Sequence, residues 1–118
     1  LGPDETGAFD NVFNLPLAPG TDGTRMRQVY RDEVFPRLRA FAPDLVVLSA
    51  GFDAHAEDPL ANLDWVEADF AWLTREFCAL ADALCDGRLV SVLEGGYDLG
   101  ALARSALAHV TELKEAVG

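Results

Sequence analysis

This chain of 118 residues is poor in histidine, cysteine and basic residues, and each shortage excludes something. There are two cysteines, Cys78 and Cys85, seven apart in a helical pattern. That spacing is neither a C-x-x-C metal pair nor the dense framework of a disulfide-stapled secreted domain, so both are read as reduced thiols. Nine Lys and Arg stand against 20 Asp and Glu, a formal charge of -11. Nucleic-acid affinity rests on neutralising phosphates with Lys and Arg, so direct DNA or RNA binding is not expected. An acidic rim attracts cationic substrates, although plain solubility explains the same charge. No G-x-G-x-x-G or P-loop follows a strand, which removes the common nucleotide-binding motifs. No basic segment leads into an apolar run, and no stretch of about 18 uncharged apolar residues occurs. The default expectation is a cytoplasmic protein with no membrane partner. The sequence opens on Leu1 rather than Met, and is read as a fragment, a processed product or a truncated chain.

Half of the residues are hydrophobic, enough for one core but not two. The first 23 residues are rich in Gly, Pro, Asp and Asn and predict an irregular lead-in with a short strand near Val12 to Leu15. From Thr24, the positions Met26, Tyr30, Val34, Leu38 and Phe41 recur three or four apart and predict one helical face. Pro36 predicts a kink or break near Phe35, and Pro43 closes the segment. Leu45 to Ala50 and Leu89 to Leu93 are continuous apolar runs, as in strands covered on both faces. Between them, Asp64 as N-cap and Glu67 three residues later predict an acidic capping box. That helix runs through Phe70, Leu73, Phe77, Leu80 and Leu84 and stops at Gly87. Trp65 and Trp72 are read as packing residues. Asp98 caps a last helix whose apolar face is Leu99, Leu102, Ala106, Val110, Leu113 and Val117. The order strand, helix, strand, helix is a βαβ unit, which should be parallel and right-handed.

Both strands deliver polar groups at their carboxyl ends, where open α/β sheets place ligands. After the first comes Gly51-Phe52-Asp53-Ala54-His55, with Asp58-Pro59-Leu60 beyond; after the second comes Glu94-Gly95-Gly96-Tyr97. A carboxylate at Asp53 suits a metal, but from spacing alone it also reads as a helix cap or turn residue. Gly95 and Gly96 permit a sharp turn and close substrate approach, while Tyr97 reads either as a hydrogen-bond donor or as a packing aromatic.

The segments SAGFDAHAEDPL and LEGGYDL, with the lead-in Asn14-Leu15-Pro16-Leu17-Ala18-Pro19-Gly20-Thr21 and Phe41-Ala42-Pro43-Asp44-Leu45-Val46 in order, resemble the C-terminal part of the zinc-dependent histone deacetylase family. The bacterial class II-like members, acetylpolyamine amidohydrolases and acetoin-utilisation proteins belong to the same group. The resemblance implies the C-terminal part of a three-layer α/β/α parallel-sheet domain of the arginase/deacetylase type, spanning residues 1 to 118. It implies hydrolysis of an acetyl amide, on acetyl-lysine or an acetylated polyamine, with Zn2+ as cofactor. Asp53 matches one zinc ligand; the other two, an Asp and a His, are implied upstream, as are the catalytic histidines. Tyr97 matches the residue that stabilises the oxyanion, and relatives with histidine there are poorly active. Leu60 matches a position lining the acyl-lysine tunnel, and Gly95 and Gly96 sit where substrate approaches. Asp58 and Glu94 are expected to orient neighbouring groups, His55 to be structural and His109 inert. Two rival readings stand beside this one. The chain alone is an inactive piece lacking the other metal and acid/base residues, or a generic α/β ligand-binding domain. Homo-oligomerisation is open, and potassium sites found in the family draw on other segments.

Overall fold

The computed structural model describes residues 2–57 and 63–117. Helix α1 (Gly23–Val29) starts at Asp22, whose carboxylate accepts from the Arg25 amide at 3.0 Å. A π-helical turn, Tyr30–Val34, then leads into α2 (Phe35–Phe41). The kink expected at Pro36 is therefore absorbed without a break. Proline cannot donate to the preceding turn, and the helix widens so that the Phe35 amide reaches back five residues to the Tyr30 carbonyl. Ala42, in the left-handed region at φ 53°, ends α2 ahead of the buried Pro43.

Strands β1 (Val46–Ala50) and β2 (Leu89–Leu93) pair in parallel, Val46 opposite Leu89 and Ala50 opposite Leu93. The long α3 (Glu67–Cys85) joins them and α4 (Leu99–Val117) follows, the βαβα order that the sequence predicts. Val46, Leu48 and Leu89 face the helices, where Val46 packs with Ala81 and Cys85. The alternate residues Val47, Val90 and Val92 stay roughly half exposed on the opposite face. Of the two covered faces that the apolar runs predict, the described residues supply one.

The main core joins α1, α2, α3 and the end of β1 through Met26, Phe35, Phe52, Trp65, Phe70 and Trp72. Each large side chain buried there contributes about 1.5–3 kcal/mol relative to exposure. Both tryptophans are buried, as expected, and Arg27 and Arg31 stack over Trp72 with guanidinium carbons 5.3 and 5.0 Å from the ring centre. Among the described residues no helix is long and apolar enough to cross a membrane.

Four local expectations need correction. Residues 12 to 15 form no strand; Asn14 instead folds its amide back onto the carbonyls of Gly2 and Glu5, each at 3.0 Å. Asp64 does not cap α3, because Trp65, which would be the first helical residue after it, is instead bridged to the His55 segment, and the helix starts only at Glu67. The Asp64 amide donates to Thr21 and the Trp65 amide to Ala54, each at 3.0 Å. The N-cap is Val66, and Asp69 at the third helical position accepts from the Val66 amide at 2.9 Å. At the other end Asp86 and Gly87, both with positive φ, share the stop assigned to Gly87 alone. Finally, the buried stripe of α4 is Ala101, Ser105 and His109, with Leu102 and Ala106 beside it, while Leu99, Val110 and Val117 are exposed. Small residues let α4 approach closely, so the larger apolar ones are displaced outward.

Candidate functional site

The pairing of β1 and β2 continues past the strands. The Glu94 amide donates to the Ala50 carbonyl at 3.0 Å and the Phe52 amide to the Gly95 carbonyl at 2.8 Å. Gly51-Phe52-Asp53 and Glu94-Gly95-Gly96 therefore leave the sheet side by side at its carboxyl edge. The half-buried Asp53 carboxylate rests against both glycines. A Cβ on Gly95 would lie 3.0 Å from its Cγ and Oδ1, and a Cβ on Gly51 would lie 3.1 Å from Oδ1. Gly96 has φ 143°, a conformation that side chains rarely adopt, and the Leu102 methyl fills the space where its Cβ would point. Tyr97 then emerges at the surface, 58% exposed. The structure thus brings Asp53, Gly95 and Gly96 together, with Tyr97 directly after them. Glu94 is exposed. Leu60 and Asp58 lie outside the described residues.

His55 is buried, with its ring stacked at 6.5 Å on Phe70. Asp53-Ala54-His55 has an Asp-x-His spacing, yet the imidazole is committed elsewhere. Its Nδ1 accepts from the Glu57 amide at 3.0 Å and its Nε2 stands 3.3 Å from a Glu67 carboxylate oxygen. The structural role expected of His55 agrees with that arrangement. Glu67 is also bound by Arg104 of α4, which bonds Glu57 as well. The Arg104 guanidinium holds the Glu67 carboxyl well below the ordinary range, at about 2. One cation thereby ties α4 to the start of α3 and to the loop after Asp53.

His109, expected to be inert, is buried between two hydroxyls. Its Nδ1 lies 2.7 Å from Thr74 Oγ1 of α3 and its Nε2 lies 2.7 Å from Ser91 Oγ of β2. Burial pushes the imidazole pKa below its ordinary value. Together with Thr74 and Phe52 it borders a cavity of about 170 Å³ beneath the end of β1. Local pattern does not reveal this, since the partners lie 35 and 18 residues away; the one available clue is the small-residue stripe Ala101, Ser105 preceding it on α4.

A metal needs several donors. Among the described residues no three His, Cys, Asp or Glu side chains converge on one point. Asp53 fits one such donor: a half-buried carboxylate packed against the backbone of Gly51 and Gly95.

The model of the histone deacetylase domain matches residues 3–113. Type-2 histone deacetylase 1 of Dictyostelium discoideum is 39% identical over 105 residues, which cover 89% of this chain and 7% of that protein. The chloroplastic histone deacetylase 14 of Arabidopsis thaliana is 44% identical over 94 residues, covering 80% of this chain and 22% of its own length. The crystal structure of the HDA15 HD domain superposes with a TM-score of 0.83 at 32% identity, over 96% of this chain and 32% of that one. The chain thus spans about a third or less of the relatives it matches, and its parallel α/β arrangement is that of a deacetylase domain. With nearly its whole length matched in both sequence and fold, the chain belongs to the histone deacetylase family.

Proposed function

We propose that this chain is the C-terminal part of a zinc-dependent deacetylase domain that hydrolyses an acetyl amide, on acetyl-lysine or an acetylated polyamine. The observation that carries the reading is the placement of the Asp53 carboxylate against Gly51 and Gly95 at the carboxyl edge of the sheet, with Gly96 and Tyr97 following. Asp53 is the residue here that would hold zinc, and bound zinc would polarise the acetyl carbonyl and acidify a water. Tyr97 would donate its phenolic proton in a hydrogen bond to the carbonyl oxygen as negative charge develops there, which favours the transition state over the ground state. Gly95 and Gly96, lacking side chains, would let the acetyl group approach the backbone, and Leu60 would line the channel for the acyl chain. The acidic surface supports a cationic substrate.

One carboxylate does not make a zinc site, so this chain in isolation is expected to be inactive and to bind zinc weakly. The test is a deacetylation assay of the parent protein with acetyl-lysine peptides and acetylated polyamines. Deacetylation that is abolished by a zinc chelator, restored by zinc and lost in Tyr97→Phe supports the reading. Full activity in Tyr97→Phe would remove Tyr97 from the chemistry, and no activity on any acetyl amide would remove the reaction.

A further inference from the structure

The protons around His109 can be assigned one by one. Thr74 Oγ1 lies 2.8 Å from the Phe70 carbonyl, which only accepts, so the single hydroxyl proton of Thr74 points there. What Thr74 offers to His109 Nδ1 is then a lone pair, and Nδ1 must carry a proton. Burial disfavours the charged ring, and in the neutral ring a proton on Nδ1 leaves Nε2 bare to accept from the Ser91 hydroxyl. The result is a directed chain: Ser91 donates to His109, His109 to Thr74, and Thr74 to the Phe70 carbonyl.

This chain grips one side chain. Phe52, 4% exposed, meets the His109 ring at 5.7 Å and the Phe70 ring at 5.2 Å, both edge to face. Phe52 also belongs to the site. It immediately precedes Asp53, its amide donates to Gly95 at 2.8 Å, and its Cβ lies 3.5 Å from where a Gly96 Cβ would stand. Both loops at the carboxyl edge therefore meet at the backbone and Cβ of this residue, whose ring is anchored by His109 and Phe70.

We propose that His109 is a positioning residue of the deacetylase site: its hydrogen bonds to Ser91 and Thr74 fix the ring of Phe52, and Phe52 sets the loops that carry Asp53 and Tyr97. The inference rests on the deacetylase reading above. His109 touches neither substrate nor metal, and acts only through Phe52. A neutral imidazole suits the place because it donates on one side and accepts on the other, and neither phenylalanine nor lysine does both.

The test uses the parent protein with His109→Phe, Thr74→Val and, as a packing control, Ala81→Gly in the separate cluster around Val46 and Cys85. Nitrogen NMR of the imidazoles should find His109 neutral with its proton on Nδ1; a proton on Nε2 would overturn the assignment. At a temperature where every variant is folded, His109→Phe and Thr74→Val should each lose about tenfold in kcat on an acetyl-lysine peptide, with KM within about twofold, as for misplaced catalytic groups. Ala81→Gly should keep its kcat despite a lowered Tm. Losses that follow Tm alike in all three would reduce His109 to ordinary packing and overturn the proposal. Should His109→Phe not fold, Thr74→Val decides. If the unaltered protein deacetylates nothing, the deacetylase reading fails by itself, and the amide shifts of Asp53 and Gly95 judge the positioning. Movement in Thr74→Val but not in Ala81→Gly supports it, and unmoved amides refute it.

Discussion

Gly95→Ala separates function from stability at a single atom. The added methyl would stand 3.0 Å from Cγ and Oδ1 of Asp53 and 3.2 Å from Oδ2, a few tenths of an ångström inside ordinary contact. Gly95 is not among the glycines with positive φ, so alanine brings no backbone strain. By restricting the unfolded chain, alanine favours the fold by about 0.4–1 kcal/mol. Steric pressure opposes that gain, but it falls on a short side chain able to swing away, so net stability should change by less than about 1 kcal/mol. The carboxylate, however, must move by roughly 0.4 Å or more, near the tolerance of about 0.5 Å within which a metal or catalytic group works. Zinc affinity and kcat/KM in the parent protein should each fall by about tenfold or more, within the range expected of small displacements. Chelator competition, deacetylation kinetics and a thermal melt read the three quantities together. A variant with unchanged zinc affinity and kcat/KM would refute the placement of Asp53 in the site.

Other predictions follow from the electrostatics and packing. His109 is held below its ordinary pKa by burial, so the unfolded chain gains a proton near pH 6.5 that the folded chain refuses until lower pH. Stability from this group is whole above that pH and declines as pH falls below it; urea titrations from pH 8 to 5 should show the decline, flattened in His109→Phe. Glu67 is lowered to about 2, chiefly by Arg104, so its contribution is whole above its ordinary pKa of 4.5 and is lost as pH falls toward 2. Carboxyl NMR should show the Glu67 pKa rising in Arg104→Met, and an unmoved value would dissolve the network. Gly23→Ala should destabilise by about 1–3 kcal/mol in a denaturant melt. Its Cβ would land 2.0 Å from the carboxylate of Asp69, which holds Arg27 at 3.1 Å and the Val66 amide.

The readable parts of this chain were those fixed by local pattern. The two apolar strands, the buried face of α3 and the Asp98 cap, which accepts from the Ala101 amide at 2.8 Å, need only neighbours in sequence. Asp53 and Gly95 could be suspected of meeting because adjacent parallel strands bring their carboxyl ends together, and they do. What escaped was decided by distant partners. Asp64 has the composition of a cap, but the next residue, Trp65, is held out of the helix by a bridge to the segment after β1. Pro36 signals a kink or break near Phe35, and the α-helical ladder is interrupted there; what local pattern leaves open is its form, a wide π-helical turn that keeps the chain helical. His109 resembles a surface histidine until Thr74 and Ser91 enclose it. Arg104 gave no signal either, since its carboxylates come from a loop and a helix start that only the fold juxtaposes.

Zinc ligation by Asp53 is decided by anomalous diffraction at the zinc edge on crystals of the parent protein. One strong peak is expected at about 2.0–2.2 Å from an Asp53 carboxylate oxygen, beside Gly51 and Gly95. A zinc peak elsewhere, with Asp53 unliganded, would contradict it.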